Sequence, residues 1–414
     1  MIRKFVRDLA VAGLLFVASV GGANAQATMT SSSNAQPIVL PEFNVVAPTP
    51  IPGSDVDRSQ IPATTYVLDS DDISFAGVPT LTDAITREIP STRVSNVEGN
   101  EFQPDIIYRG FIASPVAGTP QGLAVYVNGA RFNDPFGDTV NWDLIPANAI
   151  QSVTVESSNP LFGLNALGGS VNVQLKNGFN FQGGDSSTFA GSYGRLGSNL
   201  EYGKQVGNFA IYGSGEYLYD SGFQPTGSAQ IERAYLDLGW RSPGAEAHLD
   251  IMGANNWIGN PGASPVQALN QNLGNIFTAP NTVYNQYFGL NLHGTYAIDS
   301  KLSLQGVAYY QNLDQRVPNG DTVDVEPCDD NPGFLCNEDG SMVIGPGGKP
   351  IPDYWSGGPY SGLVSSTLNA HAYGASLQLT DTNNLAGRPN HLVVGASFDG
   401  SDSRFLRRDG DRWI

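Results

Sequence analysis

In Ala234 to Arg241 the even positions are Ala234, Leu236, Leu238 and Trp240, and the odd ones are Tyr235, Asp237, Gly239 and Arg241. An extended chain with that order has one apolar face and one polar face. The same two-residue period recurs in Ala247 to Gly253, Phe288 to Tyr296, Leu302 to Tyr310, Tyr373 to Leu379 and Leu392 to Phe398. It predicts nine strands, beginning near Ser187, Asn199, Asn208, Ile231, Glu246, Asn285, Lys301, Ser366 and His391. A soluble sandwich and a membrane barrel share such alternation, and their connections separate them. Val206-Gly207, Ser242 to Ala245 and Ile298 to Ser300 read as tight turns and Thr380 to Asn390 as a middling one, whereas the connections near 220–230, 256–284 and 313–365 are long. Short turns at one end and long loops at the other are the pattern of a transmembrane barrel, with Trp240, Tyr296, Tyr309 and Tyr310 placed for its aromatic girdles. Nine antiparallel strands cannot close with every neighbour antiparallel, so the expectation is an incomplete barrel. Arg404 to Ile414, dense in charge, reads as the start of another outer loop.

Before this region the pattern differs. Residues 61–183 read as a compact α+β unit: a strand at Thr65 to Leu68, a cap at Asp69 to Asp71, and a helix at Thr80 to Ile89 with Thr80 as N-cap and Leu81, Ala84 and Ile85 inward. Leu123 to Asn128 then meets Asn128-Gly129, a strong hairpin signal. Strands follow at Ala149 to Glu156 and Ser170 to Leu175. Residues 26–60, rich in Gln, Thr, Ser and Pro, read as a flexible linker. Its one extended apolar run is Phe43, Asn44, Val45, Val46, Ala47 and Pro48, a segment able to add itself as a strand to another sheet. Residues 1–25 read as an export signal, with Arg3, Lys4 and Arg7, an apolar stretch from Leu9 to Val20, and Ala23-Asn24-Ala25 before the cut.

Composition narrows the function. A formal charge of −18 offers no basic stripe for a nucleic acid. The 49 Gly and 27 Pro agree with many chain reversals. All four His, at 248, 293, 371 and 391, fall on the alternating strands or their ends, which leaves the compact unit without a Ser/His or Cys/His couple. Metal-protease and phosphate-loop patterns are missing. The chain thus reads as a non-enzyme, with no cofactor and no metal site expected. Cys328 and Cys336, close together in a polar loop of an exported chain, read as a disulfide. The rival zinc reading lacks four ligands.

The segment 61–183 resembles the plug domain of TonB-dependent outer-membrane receptors. The resemblance is carried in order by IPATTYVLDSDDI, TLTDAITREIPS, IIYRGF, VYVNGARFNDPFGDTVNWDLIP, IQSVTVESSNP and LFGLNALGGSVNVQLK; Asn128 stands where the family commonly has Asp. It implies a plug inside a barrel of ~22 strands, of which residues 184–414 would be the first part, with on the order of 300 residues more needed to close it. It also implies export to the outer membrane of a Gram-negative bacterium, contact with outer-membrane lipid, and uptake of a scarce chelate, a ferric siderophore being the family's commonest ligand. Cobalamin, another metal chelate or an oligosaccharide stays open, as does an exported β-rich adhesin without transport activity. Phe43 to Pro48 stands in the place of the box grasped by a TonB-type energy-transducing protein. Arg109 reads either as a ligand contact or as an ion pair tethering plug to barrel. Phe102, Gln103, Ser114 to Gln121, Asn133, Asp134, Phe136, Asp138, Asn141 and Trp142 read as plug-apex candidates for the ligand, or as a packed apex with satisfied polar groups.

Overall fold

The computed structural model describes residues 45–410 except 48, 75–79, 97, 346, 355 and 357–359. The signal segment, Phe43, Asn44 and Pro48 lie outside the described residues. A short ribbon, β1 (Val45–Val46) with β2 (Val56–Asp57), precedes the α+β unit. That unit contains β3 (Thr65–Asp69), α1 (Ser70–Ser74), α2 (Leu81–Glu88), β4 (Thr92–Ser95), β5 (Asp105–Tyr108), β6 (Phe111–Ala113), β7 (Leu123–Val127), β8 (Ala130–Arg131), β9 (Ile150–Ser157) and β10 (Gly169–Leu175). Helix α2 begins where the Thr80 hydroxyl accepts from the Asp83 N–H at 3.3 Å, and it buries Leu81, Ala84 and Ile85. A five-stranded sheet runs β3-β9-β10-β7-β8, and a three-stranded one runs β4-β5-β6. Val125, Val153, Val155, Val171 and Val173 of the first sheet are buried in one core with Leu68, Ile85 and Ile106.

Nine antiparallel strands form the second body: β11 (Gly183–Ala190), β12 (Leu196–Val206), β13 (Phe209–Asp220), β14 (Ala229–Ser242), β15 (Ala245–Gly259), β16 (Thr282–Ala297), β17 (Leu302–Thr322), β20 (Ser361–Asp381) and β21 (Leu392–Gly410). Each pairs with the next, and β11 and β21 are the two edges, so the sheet is an incomplete barrel. Its concave face holds the α+β unit: Tyr212, Tyr235, Met252, Tyr287, Leu313 and Ala370 join that unit's core. Leu238, Trp240, Leu292, Tyr296, Leu377 and Phe398 are exposed on the opposite face. Connections at 207–208, 243–244 and 298–301 are tight and that at 382–391 is middling, while at the other end those at 191–195 and 221–228 are followed by the long ones at 260–281 and 323–360. The last of these is a small folded module, in which β18 (Val325–Pro327) pairs with β19 (Leu335–Asn337), Leu335, Ile351 and Tyr360 form a core, and Cys328 is bonded to Cys336. No helix among the described residues is long and apolar enough to cross a membrane, and strands make the crossing in a barrel.

Four expectations are corrected. Residues 404–410 continue β21 instead of opening a loop, because the ladder with β20 runs on to the end, with Arg404 opposite Asn369 and Gly410 opposite Leu363. Strands β17 and β20 likewise extend to Thr322 and from Ser361, past the expected loop limits, since the ladder between them runs unbroken. Tyr309 faces the lumen, buried beside Ile51, while Tyr310 faces out; adjacent strand residues cannot share a face. Residues 49–57, expected to be unpacked, lie along the lumen wall. The Thr49 hydroxyl donates to Gln378 Oε1 at 2.7 Å, and Ile51 is buried against Val307, Tyr309 and Ala372.

Candidate functional site

Beside the apolar contacts of the shared core, the α+β unit and the sheet meet along a polar seam, built where lumen-facing strand positions carry Asn, Gln and acids. At the β7–β8 turn Asn128 has φ 45° and Gly129 φ 81°, and a Cβ on Gly129 would stand 2.9 Å from both Pro52 Cδ and Val307 Cγ2, so only glycine fits. This places Asn128 against the wall. Its amide donates to Asp250 Oδ2 at 2.9 Å and Tyr235 Oη at 3.3 Å, its Oδ1 accepts from the Leu175 N–H at 2.8 Å, and its backbone carbonyl accepts from the Asn291 amide at 3.0 Å.

Higher on the seam is Asp143, fully buried at the end of the loop that follows β8. Its Oδ1 accepts from Gln103 at 3.1 Å, and its Oδ2 accepts from Asn256 at 2.8 Å and Asn285 at 3.0 Å. Burial raises the Asp143 pKa above the usual carboxylate value, and these amides, with the nearby Arg233 guanidinium, oppose the rise. Arg233 itself donates to the Ile145 carbonyl at 2.5 Å and pairs with Glu216. Lys176 pairs with Glu201 at 2.9 Å, and the Arg195 guanidinium joins Glu101 of the inner unit to Asp220 of the wall while lying over the Phe102 ring. Burial likewise raises Glu101 and Glu98, the latter accepting from Asn260 at 3.2 Å.

The residues singled out from sequence divide between seam and interior. Phe102 packs on Leu218, Ile231 and Ile258 of the wall, and Gln103 is spent on Asp143. Ser114 is buried: its hydroxyl donates to Asp105, its N–H donates to Gln121 Oε1 at 2.9 Å, and the Gln121 amide donates back to its carbonyl at 3.2 Å. Asn133 bonds Val125, Leu123 and Asp138 backbone groups. Asp134 accepts from the Phe136 N–H at 2.8 Å, and burial pushes its pKa up to about 7. Asp138 pairs with Arg131, Asn141 accepts from Gln315 at 3.3 Å, and the Trp142 indole donates to the Ala113 carbonyl. Phe136 stacks on Phe405 with centroids 4.7 Å apart. The exposed surface at this end is therefore made by Ala117, Gly118, Pro120 and Gly137, with the half-buried Pro115 and Phe136 beside them.

Arg109 sits exposed at the β5–β6 turn with φ 52°, its N–H bonded to the Ser91 carbonyl, and among the described residues it has no ion pair with the nine strands of the sheet. The seam residues Asp143, Arg233, Arg195, Lys176 and Asp250 join the two bodies. Strand alternation marked Asp237 as polar-facing and offered the only signal for the wall members; nothing local distinguishes Asp143 from other loop acids. No group of three His, Cys, Asp or Glu able to hold a metal occurs among the described residues.

Comparison with known proteins agrees with this geometry. Residues 57–170 match the family model of the TonB-dependent receptor plug domain. No curated protein sequence matches. The fold is similar to the ferric preacinetobactin receptor BauA from Acinetobacter baumannii, with TM-score 0.63 and 14% identity over 86% of this chain and 50% of that one. It is also similar to the unliganded ferric citrate transporter FecA, with TM-score 0.64 and 11% identity over 83% and 48%. The outer-membrane ferripyoverdine receptor of Pseudomonas aeruginosa gives TM-score 0.62 and 16% identity over 87% and 46%. The chain spans about half the length of the solved receptors it matches.

Proposed function

We propose that this chain, a TonB-dependent receptor by its plug and its incomplete barrel, serves in the gated uptake of an iron chelate across an outer membrane. The carrying observation is the polar part of the seam: beside the shared apolar core, the plug is held in the sheet by amides, carboxylates and guanidinium groups that water can resolvate, such as Asn128, Asp143 and Arg195. A plug held this way can shift without unfolding the wall. The likeness to receptors named for ferric preacinetobactin, ferric citrate and ferripyoverdine supports a ferric siderophore as the ligand class. The segment 43–48 is assigned to a TonB-type energy-transducing protein by β-augmentation. Val46 is buried in the β1–β2 ribbon, so that assignment requires the ribbon to open first.

The test is uptake of a panel of 55Fe-loaded siderophores by receptor-null cells expressing the complete reading frame, with and without the energy-transducing protein. Uptake of at least one chelate that disappears with that protein, or on deleting residues 43–48, is expected. Uptake of none, or uptake indifferent to both deletions, refutes the proposal.

A further inference from the structure

The outward face of the sheet changes character partway along the strands. At its lower end it is apolar, with Leu238, Trp240, Leu292, Tyr296, Leu377 and Phe398 exposed. Further up β16, on the same face, comes a row of polar cross-strand partners: Asn255 opposite Gln286, Gln286 opposite Asp314, Asp314 opposite Asn369, and Asn369 opposite Arg404. One row beyond, Arg316 lies between Tyr284 and Thr367. An open groove of about 760 Å³ lies here, lined by Tyr284, Gln286, Arg316, Asn369, Arg404 and Leu406 among others.

We propose that this groove binds the phosphate of an anionic lipid headgroup in the leaflet it faces. Three observations lead to that occupant. First, depth: Gln286 is ten residues along β16 from Tyr296, which at ~3.3 Å per residue and a tilt of ~40° is about 25 Å, the height of a barrel's apolar band. With Trp240 and Tyr296 at one interface, Arg316 and Arg404 fall at the opposite headgroup level, where Trp257 stacks on Tyr284 as a girdle would.

Second, charge: among the described residues neither Arg316 nor Arg404 has a carboxylate partner. Of the outward acids nearby, Asp314, on the groove wall, accepts from the Asn369 amide, Glu232 accepts from Asn255 and Gln230, and Asp402 lies in the row below Arg404, opposite His371. Arg408, opposite Ser365, adds a third cation on the same face.

Third, geometry: the two guanidinium groups spring from β17 and β21, two strand spacings and one row or about 12 Å apart, and flank the neutral Thr367 and Asn369 of β20. Side chains of that length converge on one phosphate, which their planar forks bind bidentately. Guanidinium groups at headgroup depth draw anionic lipids in this way.

The inference rests on the reading that the outward face meets lipid, and its test separates the two. The 414-residue chain is reconstituted in nanodiscs of phosphatidylcholine with a minor share of phosphatidylglycerol, and the lipid retained after detergent extraction is measured by mass. Enrichment of phosphatidylglycerol is expected, falling about fivefold for each guanidinium removed in R316Q/R404Q. It should persist in R388Q, which makes the same charge change at a turn on the other end of the sheet. Enrichment kept in the double variant, or lost equally in R388Q, overturns the proposal. So does its abolition by inorganic phosphate at equal concentration, which would make the groove a free-anion site. A chain that enters neither lipid overturns the membrane reading and the proposal together.

Discussion

Asn128→Asp tests the seam at its best-defined point. The two side chains are isosteric, both tolerate the left-handed backbone at φ 45°, and the Oδ1 that accepts from Leu175 is kept, so the change isolates one thing. The amide that donates to Asp250 at 2.9 Å and Tyr235 at 3.3 Å becomes a carboxylate facing a carboxylate. At that separation and an effective dielectric near 20, Coulomb repulsion is about 6 kcal/mol. Protonating one acid at pH 7.5 limits the loss to a similar figure, at ~1.4 kcal/mol per unit above a pKa of ~3.9. A deficit of about 3–5 kcal/mol at pH 7.5 is therefore expected. The like-charge pair raises the folded-state pKa, so the folded state takes up the proton and the deficit shrinks as pH falls toward ~5. Denaturant titration in detergent micelles, read by heat-modifiable gel mobility and by protease release of the plug, measures it. N128D/D250N should recover about half, because an amide again meets a carboxylate with the polarity reversed, although Tyr235 then loses its charged acceptor. A deficit under ~0.5 kcal/mol, or one indifferent to pH, would sink the argument that this seam holds the plug.

Asp143→Ala strands the Gln103, Asn256 and Asn285 amides and should loosen the plug by about 3–5 kcal/mol, against roughly half that for Asp143→Asn, in the same titration. Asp134, with a folded pKa near 7 against ~3.9 unfolded, binds its proton more tightly when folded, so its contribution weakens as pH rises from about 4 to 7, by up to about 4 kcal/mol. Asp134→Asn should flatten that slope, and parallel slopes for the two proteins would contradict the buried neutral acid. C328S/C336S should cost the 323–360 module about 2.5 kcal/mol of loop-closure entropy, seen as new protease cuts confined to that module with the plug and wall unchanged; cuts elsewhere would show the module is not self-contained.

Much of the wall was legible because strand alternation is local. Leu238 and Trp240 announce the outward face and Asp237 the inward one, and all nine strands were found with their connections in the right order. Strand ends were not legible, because they are set by partners. Arg404 to Gly410 has no alternation of its own, and pairs because β20 is present. Tyr309 and Tyr310 look alike in sequence, and only register separates the buried one from the exposed one. The apex residues show the same limit. Gln103 and Asp143 lie 40 residues apart and Asn128 and Asp250 lie 122 apart, so no local pattern told that their polarity is spent on one another. Arg109 shows the limit from the other side, since an arginine in a plug motif suggests an ion pair, while among the described residues it is exposed and has none.

The departure at Asn128 acquires a reason from this. With an acid on the wall at 250, a second acid at the hairpin tip would face it, whereas an amide supplies the donor that Asp250 accepts and still accepts from Leu175. The residue is chosen by a partner on another element. The same logic runs along the seam: acids at 143 and 250 meet Asn from the other body, and Arg233, paired with Glu216 on its own wall, donates to the Ile145 carbonyl of the plug. Hydrogen bonds of this kind each add only about 0.5–1.5 kcal/mol net, more where a charge takes part, because water offers comparable partners on separation. An apolar seam of equal area would resist separation more strongly, at about 25 cal/mol per Å² exposed. Under the proposed function, a polar seam therefore fixes the plug's register through many weak, specific bonds, while leaving its displacement within reach of a pull transmitted along the chain.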